Sequence, residues 1–464
     1  MSREDLRLKS LVVLILVLAF PATSPVFAQV TPIKHLVVVM QENHSFDNYF
    51  GTYPTANGSL INNITSRLHP VDGLPRGVCL PRGNACVAPY LSTSSNTLNP
   101  IEGQVTYAQD YAAGRMNGFA EFSGSQSMAY FDYHQIAAYW DYAEEYGLAD
   151  RYFASALSTT TPNRILLLAG DTPVANNYGP PPYLEYNQTI LAELEGHGLS
   201  WGYFDFVSAY GSPSNVYPFN YFLNRTSNDR IMDVSKFFEA LNSGTGLPAV
   251  SFVNSLGSGM LDEHPDENVT QGELWVVSIV NAVMSSSYWN STAILITWDE
   301  GGGYFDHVAP PQILTIDHRF NQPLAGYGQR VPLLVISAYA RENYVSETVL
   351  NHLSIIRFIE YNWNLPVMNR DIMNSNNLLE FFDFESPPRP PIILADTGPY
   401  APTVYPIPLQ SSRNQTAFSS TSAVTAASST YAVSGLASAL VAVAISLLIW
   451  AKRKSYKEGE PKVS

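Results

Sequence analysis

Two acidic pairs stand out in the sequence, Glu42-Asn43 and Asp299-Glu300, each placed directly after an apolar, β-branched run. Three carboxylates and an amide are hard oxygen donors, the set that holds Mg, Ca, Mn or Fe as a divalent ion. Turn formation or helix capping is the competing use for such residues after a strand. A third segment, Ser158-Thr159-Thr160-Thr161-Pro162-Asn163-Arg164, carries hydroxyls just ahead of the apolar run Ile165 to Leu168. A hydroxyl at a helix N-terminus beside a cation can attack phosphorus. The cation lowers the hydroxyl pKa, and the helix end favours an anionic phosphoryl group. Pro162 suits a first helical turn, and capping is again the competing role.

These groups need elements that bring them together. His35 to Met40 (HLVVVM) runs into Glu42, and Ala293 to Thr297 (AILIT) runs into Asp299. Ala249 to Val253 and Val331 to Ile336 have the same character. Continuous apolar runs of this length predict strands buried on both faces, as in a parallel sheet. Helical patterns fall between them at Tyr133 to Tyr146, Leu191 to Glu195, Val234 to Leu241, Gly272 to Ser285 and Ser346 to Tyr361. The alternation predicts an α/β layered sheet with helices on both faces. Ligands of such sheets lie beyond the carboxyl ends of the strands, so both acidic pairs should reach one edge. Gly301, Gly302 and Gly303 would let backbone and substrate approach closely there.

The ends of the chain carry addresses. Arg3, Arg7 and Lys9 precede the apolar run Leu11 to Phe20, with small residues at Ala28, the layout of a secretory signal peptide over residues 1–28. Tyr431 to Trp450 holds no charge and is followed by Lys452, Arg453 and Lys454. Roughly 20 apolar residues cross a bilayer, and the basic cluster stays on the cytoplasmic side. The expected division is a catalytic domain at 29–400, a Ser/Thr-rich stalk at 401–430, a C-terminal transmembrane helix at 431–451 and a cytoplasmic tail at 452–464. The body would then be extracellular on a single-pass membrane anchor. The net charge of −15 excludes nucleic acid as a partner, because phosphate backbones need a basic surface. Sequons at Asn57, Asn63, Asn187, Asn224, Asn268, Asn290 and Asn414 agree with an exported glycoprotein, while the Asn43 sequon should be buried. Cys79 and Cys86 are expected to close a small disulfide loop in an oxidising compartment.

The segment Ile33 through Gly51, containing Gln41-Glu42-Asn43-His44-Ser45-Phe46-Asp47, resembles the opening of the phosphoesterase family of bacterial phospholipases C and acid phosphatases. So do Leu148-Ala149-Asp150-Arg151-Tyr152-Phe153 with Thr160-Thr161-Pro162-Asn163-Arg164, and Thr297 through Pro311. Gly328 through Ser337, then His352 through Glu360, complete the match in family order. The resemblance implies an alkaline-phosphatase-like fold and a divalent metal held by Glu42, Asn43, Asp299 and Glu300. It implies Thr160 as nucleophile, where some relatives carry serine. Thr159 and Thr161 leave that register open by one residue. Asn163 and His264 are implied at the substrate, His264 also as a proton shuttle. His307 and His352 are further catalytic candidates, with structural duty as the alternative. The chain departs from the family at Asn351, where an Asp is usual, and in lacking an obvious C-terminal lipid-binding domain. The activity expected is metal-dependent hydrolysis of phosphoesters, acid phosphatase-like and through a phospho-threonine. The alternatives are a phospholipase C-type phosphodiesterase on phospholipid head groups and a non-enzymatic cell-envelope glycoprotein.

Overall fold

In strand β1 (His35–Gln41) every residue after the first is buried, with no alternation of wet and dry sides. A strand of that kind must be covered on both faces. The computed structural model describes residues 29–394 except 57–58, 61–70, 178–182, 226–227, 245 and 312–325. The expected signal peptide, stalk, transmembrane helix and tail lie outside the described residues. Among the described residues, no helix is long and apolar enough to cross a membrane.

β1 sits inside an eight-stranded sheet. Its partners are β2 (Gly147–Ala149), β3 (Trp201–Asp205), β4 (Ile231–Asp233), β5 (Val250–Val253), β6 (Thr292–Trp298), β7 (Leu333–Ser337) and β8 (Tyr344–Ser346). The order is β4-β3-β5-β1-β6-β7-β2-β8. β4, β3, β5, β1 and β6 run parallel. β7 runs antiparallel to both β6 and β2. The sheet is therefore mixed, which corrects the parallel expectation for Val331 to Ile336. An apolar run reports burial on two faces but not strand direction. The short strands β2, β4 and β8 and the aromatic β3 escaped the sequence pattern, which reads length and β-branching.

The helices that bear on the site are α1 (Phe46–Phe50), α2 (Gln104–Tyr111), α3 (Tyr133–Glu145), α4 (Thr160–Ala169), α5 (Val269–Met284) and α6 (His352–Asn362). The helix expected to start at Ser346 begins only at His352. Ser346 belongs to edge strand β8, and Asn351 caps α6 by accepting from the Leu353 amide at 2.7 Å. Helices cover both faces. Tyr139 of α3 packs edge-on to Trp298, which pairs with Gln41 in register. Val38 and Met40, of opposite parity to Gln41 on β1, share a small cavity with Arg164, Leu167 and Leu168 of α4.

The carboxyl edge is locked by one cation. Arg330 is fully buried and reaches Asp47 of α1 at 3.0 Å, Asp150 after β2 at 3.1 Å and Asp306 after the glycines at 3.1 Å. Its guanidinium also stacks 4.2 Å over Phe46. Four loops distant in sequence thus meet on one planar fork, the geometry that arginine supplies and lysine does not. Removing one member of a buried charge cluster leaves the others unpaired. Arg330→Met should therefore cost about 3–5 kcal/mol of stability, read as a lower midpoint in denaturant unfolding; an unchanged midpoint would count against this role.

Candidate active site

β1 and β6 are paired so that Gln41 stands beside Trp298. Glu42-Asn43 and Asp299-Glu300 therefore leave the sheet side by side. Asn43 takes a left-handed backbone, φ 62°, which turns the chain at once. The Asp299 carboxylate ties both segments, accepting from the Asn43 amide at 3.2 Å and the Glu300 amide at 2.8 Å. Glu300 accepts from Tyr107 of α2 at 2.9 Å and from the Gly302 amide at 2.7 Å. Gly302 has φ +60°, and a Cβ there would lie 2.2 Å from the Asn43 carbonyl oxygen. The glycine is needed both for its conformation and for this contact. Glu102, from the loop before α2, accepts from Asn43 Nδ2 at 2.8 Å.

Helix α4 presents the hydroxyls to this edge. The three neighbouring threonines differ. Thr159 donates to Asn177 Oδ1 at 3.0 Å and accepts from the Asn177 amide, and Thr161 shares a short hydrogen bond with Tyr217. The Thr160 hydroxyl has no hydrogen bond among the described residues and is the most exposed of the three at 9%. One turn on, Arg164 donates to Asp299 Oδ2 at 3.0 Å and to Asn254 at 2.9 Å, and lies 3.5 Å from Glu42. Residues four apart share a helix face, so Thr160 lies on the side of α4 that carries Arg164, which holds two of the acids.

Charge at this edge is unbalanced. Glu42, Glu102, Asp299 and Glu300 face one cation, Arg164. Burial raises the pKa of Glu42 well above the carboxylate range, and the Asp299 charge adds to it. Burial followed by the charges of Glu102 and Asp299 does the same to Glu300. Burial also raises Asp299 and Glu102, against Arg164 and His264 respectively. Asn43 Oδ1 is a buried acceptor with no donor among the described residues. Excess carboxylate and an orphaned amide oxygen are what a hard cation satisfies, so these residues fit a divalent metal.

Among the described residues, one group of His, Cys, Asp or Glu has ligand atoms all within 4.8 Å of one another: Asp47, Asp306 and His307. Glu42, Asp299 and Glu300 do not close to that distance. Asp299 and Glu300 take separate backbone and side-chain donors, while Glu42 and Asp299 share Arg164. The Asp47-Asp306-His307 group already holds the Arg330 guanidinium. His307 donates through Nδ1 to Asp47 at 2.7 Å and through Nε2 to Asp72 at 3.1 Å. Burial opposes its charge, but the bond to Asp47 and the charges of Asp47 and Asp306 outweigh burial and raise its pKa to about 9.

The other histidines part company. His264 is brought to the acids: its Nε2 lies 3.7 Å from Glu102, and its amide bonds Asp262 at 3.2 Å. His352 is wholly buried, lowered to about 4 by desolvation, and donates from Nε2 to the Trp298 carbonyl at 3.1 Å. It supports the peptide just before Asp299. Asn163, implied at the substrate, has both ends engaged elsewhere. Its Oδ1 accepts from the Ala156 amide at 2.9 Å and its Nδ2 donates to the carbonyls of Ala156, Ser158 and Thr159. It shapes the threonine loop from within. Glu102 and Arg164 are the functional candidates that sequence reasoning passed over. Arg164 had a signal, a lone charge opening an apolar helix four residues after Thr160; Glu102, in an Asn-Pro-Ile-Glu-Gly loop, had none. Cys79 and Cys86 are joined by a disulfide with Cα atoms 5.4 Å apart.

An α/β sheet that delivers clustered carboxylates to the N-terminus of a threonine-bearing helix defines a class: hydrolases built to handle phosphoryl groups. The chain belongs to the Phosphoesterase family, whose sequence model matches residues 33–366. It is 27% identical to phospholipase C B of Mycobacterium tuberculosis over 426 residues, covering 79% of this chain and 80% of that protein. It is 27% identical to the non-hemolytic phospholipase C of Burkholderia pseudomallei over 466 residues, covering 83% of this chain but 64% of that one. Among solved structures it is similar to an alkaline phosphatase superfamily protein from Vibrio parahaemolyticus, with TM-score 0.38 and 11% identity over 76% of this chain and 72% of that one. The protein is thus an enzyme, a hydrolase acting on phosphoester bonds, which sets aside the non-enzymatic reading.

Two outcomes test the site. Gly302→Ala should displace Asn43 and lower turnover by at least about 100-fold, as losing one preorganised group does, with little change in the far-ultraviolet circular dichroism; near-normal kcat would show that the contact is dispensable. Carboxyl groups whose native pKa is raised stabilise the fold at low pH, and that contribution is lost as pH rises through the native pKa. Cation binding requires the ionised acids. The rise in Tm caused by a divalent cation should therefore be larger at pH 8 than at pH 5, measured by differential scanning fluorimetry with and without chelator; an equal rise at both would contradict the assignment.

Proposed function

We propose that this enzyme is a phospholipase C-type phosphodiesterase that acts through a phospho-threonine on Thr160. The observation that carries the reading is the free Thr160 hydroxyl, one helical turn from Arg164 and hence from Asp299 and Glu42. The relatives are phospholipases C, which favours a phosphodiester over the phosphomonoester put first from sequence alone. The alkaline-phosphatase-like layout expected from the motifs agrees with ligands at the carboxyl edge of a mixed sheet.

Glu42, Asn43, Asp299 and Glu300 would hold a divalent ion. Such an ion, when bound, lowers the pKa of a nearby hydroxyl and offsets charge on phosphoryl oxygens. The protein's own groups do the rest. Arg164 keeps Asp299 and Glu42 in place and offsets part of their charge. The amino end of α4, whose Thr161 amide is held by Asn177 Oδ1 at 2.7 Å, turns its partial positive charge to the phosphoryl oxygens. The Thr160 alkoxide, its proton having passed to solvent, attacks phosphorus, forming one P–O bond as the bond to the glycerol oxygen breaks. His264 gives a proton to that departing oxygen, releasing diacylglycerol. Water then attacks the phospho-threonine, returns its proton to His264 and frees the phosphorylated head group.

The apolar run at 431–450 and its basic flank support a membrane tether with the catalytic unit outside the cell, reached through the signal peptide at 1–28.

Thr160→Ala should lower kcat by at least about 1000-fold while leaving the Tm unchanged, and Thr160→Ser should retain activity. Phosphatidylcholine should be hydrolysed faster than a chromogenic phosphomonoester, with both rates removed by chelator. Full activity in Thr160→Ala, or a preference for the monoester, would overturn the respective part of the proposal.

A further inference from the structure

The loop that closes the acidic site has two sides. Glu102 turns inward to Asn43 and His264. Its neighbours turn outward: Leu98 is 75% exposed, Ile101 58% and Val105 73%. Ile101 donates from its amide to the Ser123 carbonyl at 2.9 Å, which sets Phe122 alongside, 38% exposed. Across the site, Met260 is 43% exposed on the loop leading to Asp262, whose carbonyl accepts from the Glu42 amide at 2.8 Å. Apolar side chains scattered singly on a surface need no explanation, but a set gathered around the rim of a site marks an interface. The charge pattern narrows the partner. Residues 93–105 and 256–264 contain no lysine or arginine; around Phe122 stand the exposed Arg115 and Glu121 and Arg82, whose Nη1 donates to the Ala120 carbonyl at 2.7 Å. A surface meant for anionic lipid carries clustered cations; this one is apolar with two dispersed arginines beside Glu121.

We propose that Leu98, Ile101, Val105, Phe122 and Met260 dock this enzyme on a zwitterionic phospholipid bilayer. The inference rests on the phospholipase reading above. Each methylene of an acyl chain resists leaving the membrane, so the scissile phosphodiester cannot travel far to the site. The rim sinks into the head-group boundary, the acyl chains stay against it, and the head group passes beneath Glu102 toward Thr160.

The disulfide leaves no free cysteine among the described residues, and Cys79 and Cys86 are the only two in the chain, so one introduced cysteine carries one label. Full-length protein labelled at Val105→Cys with an environment-sensitive fluorophore is mixed with phosphatidylcholine vesicles bearing an acyl-chain quencher. Quenching is expected at position 105. None is expected at Met373→Cys, which sits near Gly170 at the far end of α4. An unquenched label at 105, stronger quenching on phosphatidylserine vesicles, or a concentration-dependent response without lipid (a second copy on this face) would each overturn the proposal. In parallel, the triple variant Leu98→Ser, Ile101→Ser, Val105→Ser should lose roughly tenfold or more of its turnover on vesicles and keep its rate on a water-soluble chromogenic phosphodiester. Equal rates on both substrates would end the docking claim. A wild-type enzyme that cleaves neither substrate would instead end the phospholipase reading, while the quenching still reports on docking.

Discussion

Four carboxylates crowd the carboxyl edge of the sheet around one guanidinium, Arg164, which reaches two of them, and the rest of the site follows from that shortage of positive charge. Two like charges about 4 Å apart repel by about 4 kcal/mol at an effective dielectric near 20. Arg164 offsets part of this by holding Asp299 and Glu42, and hydrogen bonds from Tyr107 and Gly302 relieve Glu300. Burial and mutual repulsion still push the acids toward their neutral forms. A further cation would let these acids ionise together.

Arg330 shows the opposite solution a short distance along the same edge. There three aspartates surround a single guanidinium and His307 adds a second positive group. That cluster sets two positive groups against three aspartates and fastens loops. The contrast separates two groups that a count of acidic residues would treat alike. It also gives His307 a fastening role between Asp47 and Asp72, and His352 a supporting one under Trp298, while His264 alone of the three candidates reaches the acids around Asn43.

The fold was legible where the sequence carries long apolar runs. β1, β5, β6 and β7 and the helices at Tyr133–Glu145 and Val269–Met284 lie where the patterns put them, because burial on both faces and helical periodicity leave strong marks. Direction of β7 and the short edge strands left none. In the site, Glu42, Asn43, Asp299 and Glu300 were legible as strand-end oxygen donors. Glu102 was not, because its part depends on a loop folding back over Asn43. For a related reason the hydrogen bonds of Asn163 to its own loop were not legible. A motif marks a residue as required, but whether it faces the substrate or the loop behind it is decided by packing. The monoester reading was displaced by kinship with phospholipases C, a distinction of leaving group that oxygen ligands do not record.

The central claim is that the strand-end acids form a cation site serving Thr160. Equilibrium dialysis of the full chain against manganese, magnesium or calcium, followed by elemental analysis, tests it most directly. The account predicts about one tightly held ion per chain in the wild type, as a single oxygen-rich cluster would bind, and none in Asp299→Asn, with Asp306→Asn still loaded. Retention of the ion in Asp299→Asn together with its loss in Asp306→Asn would move the metal to the Arg330 cluster and contradict the account.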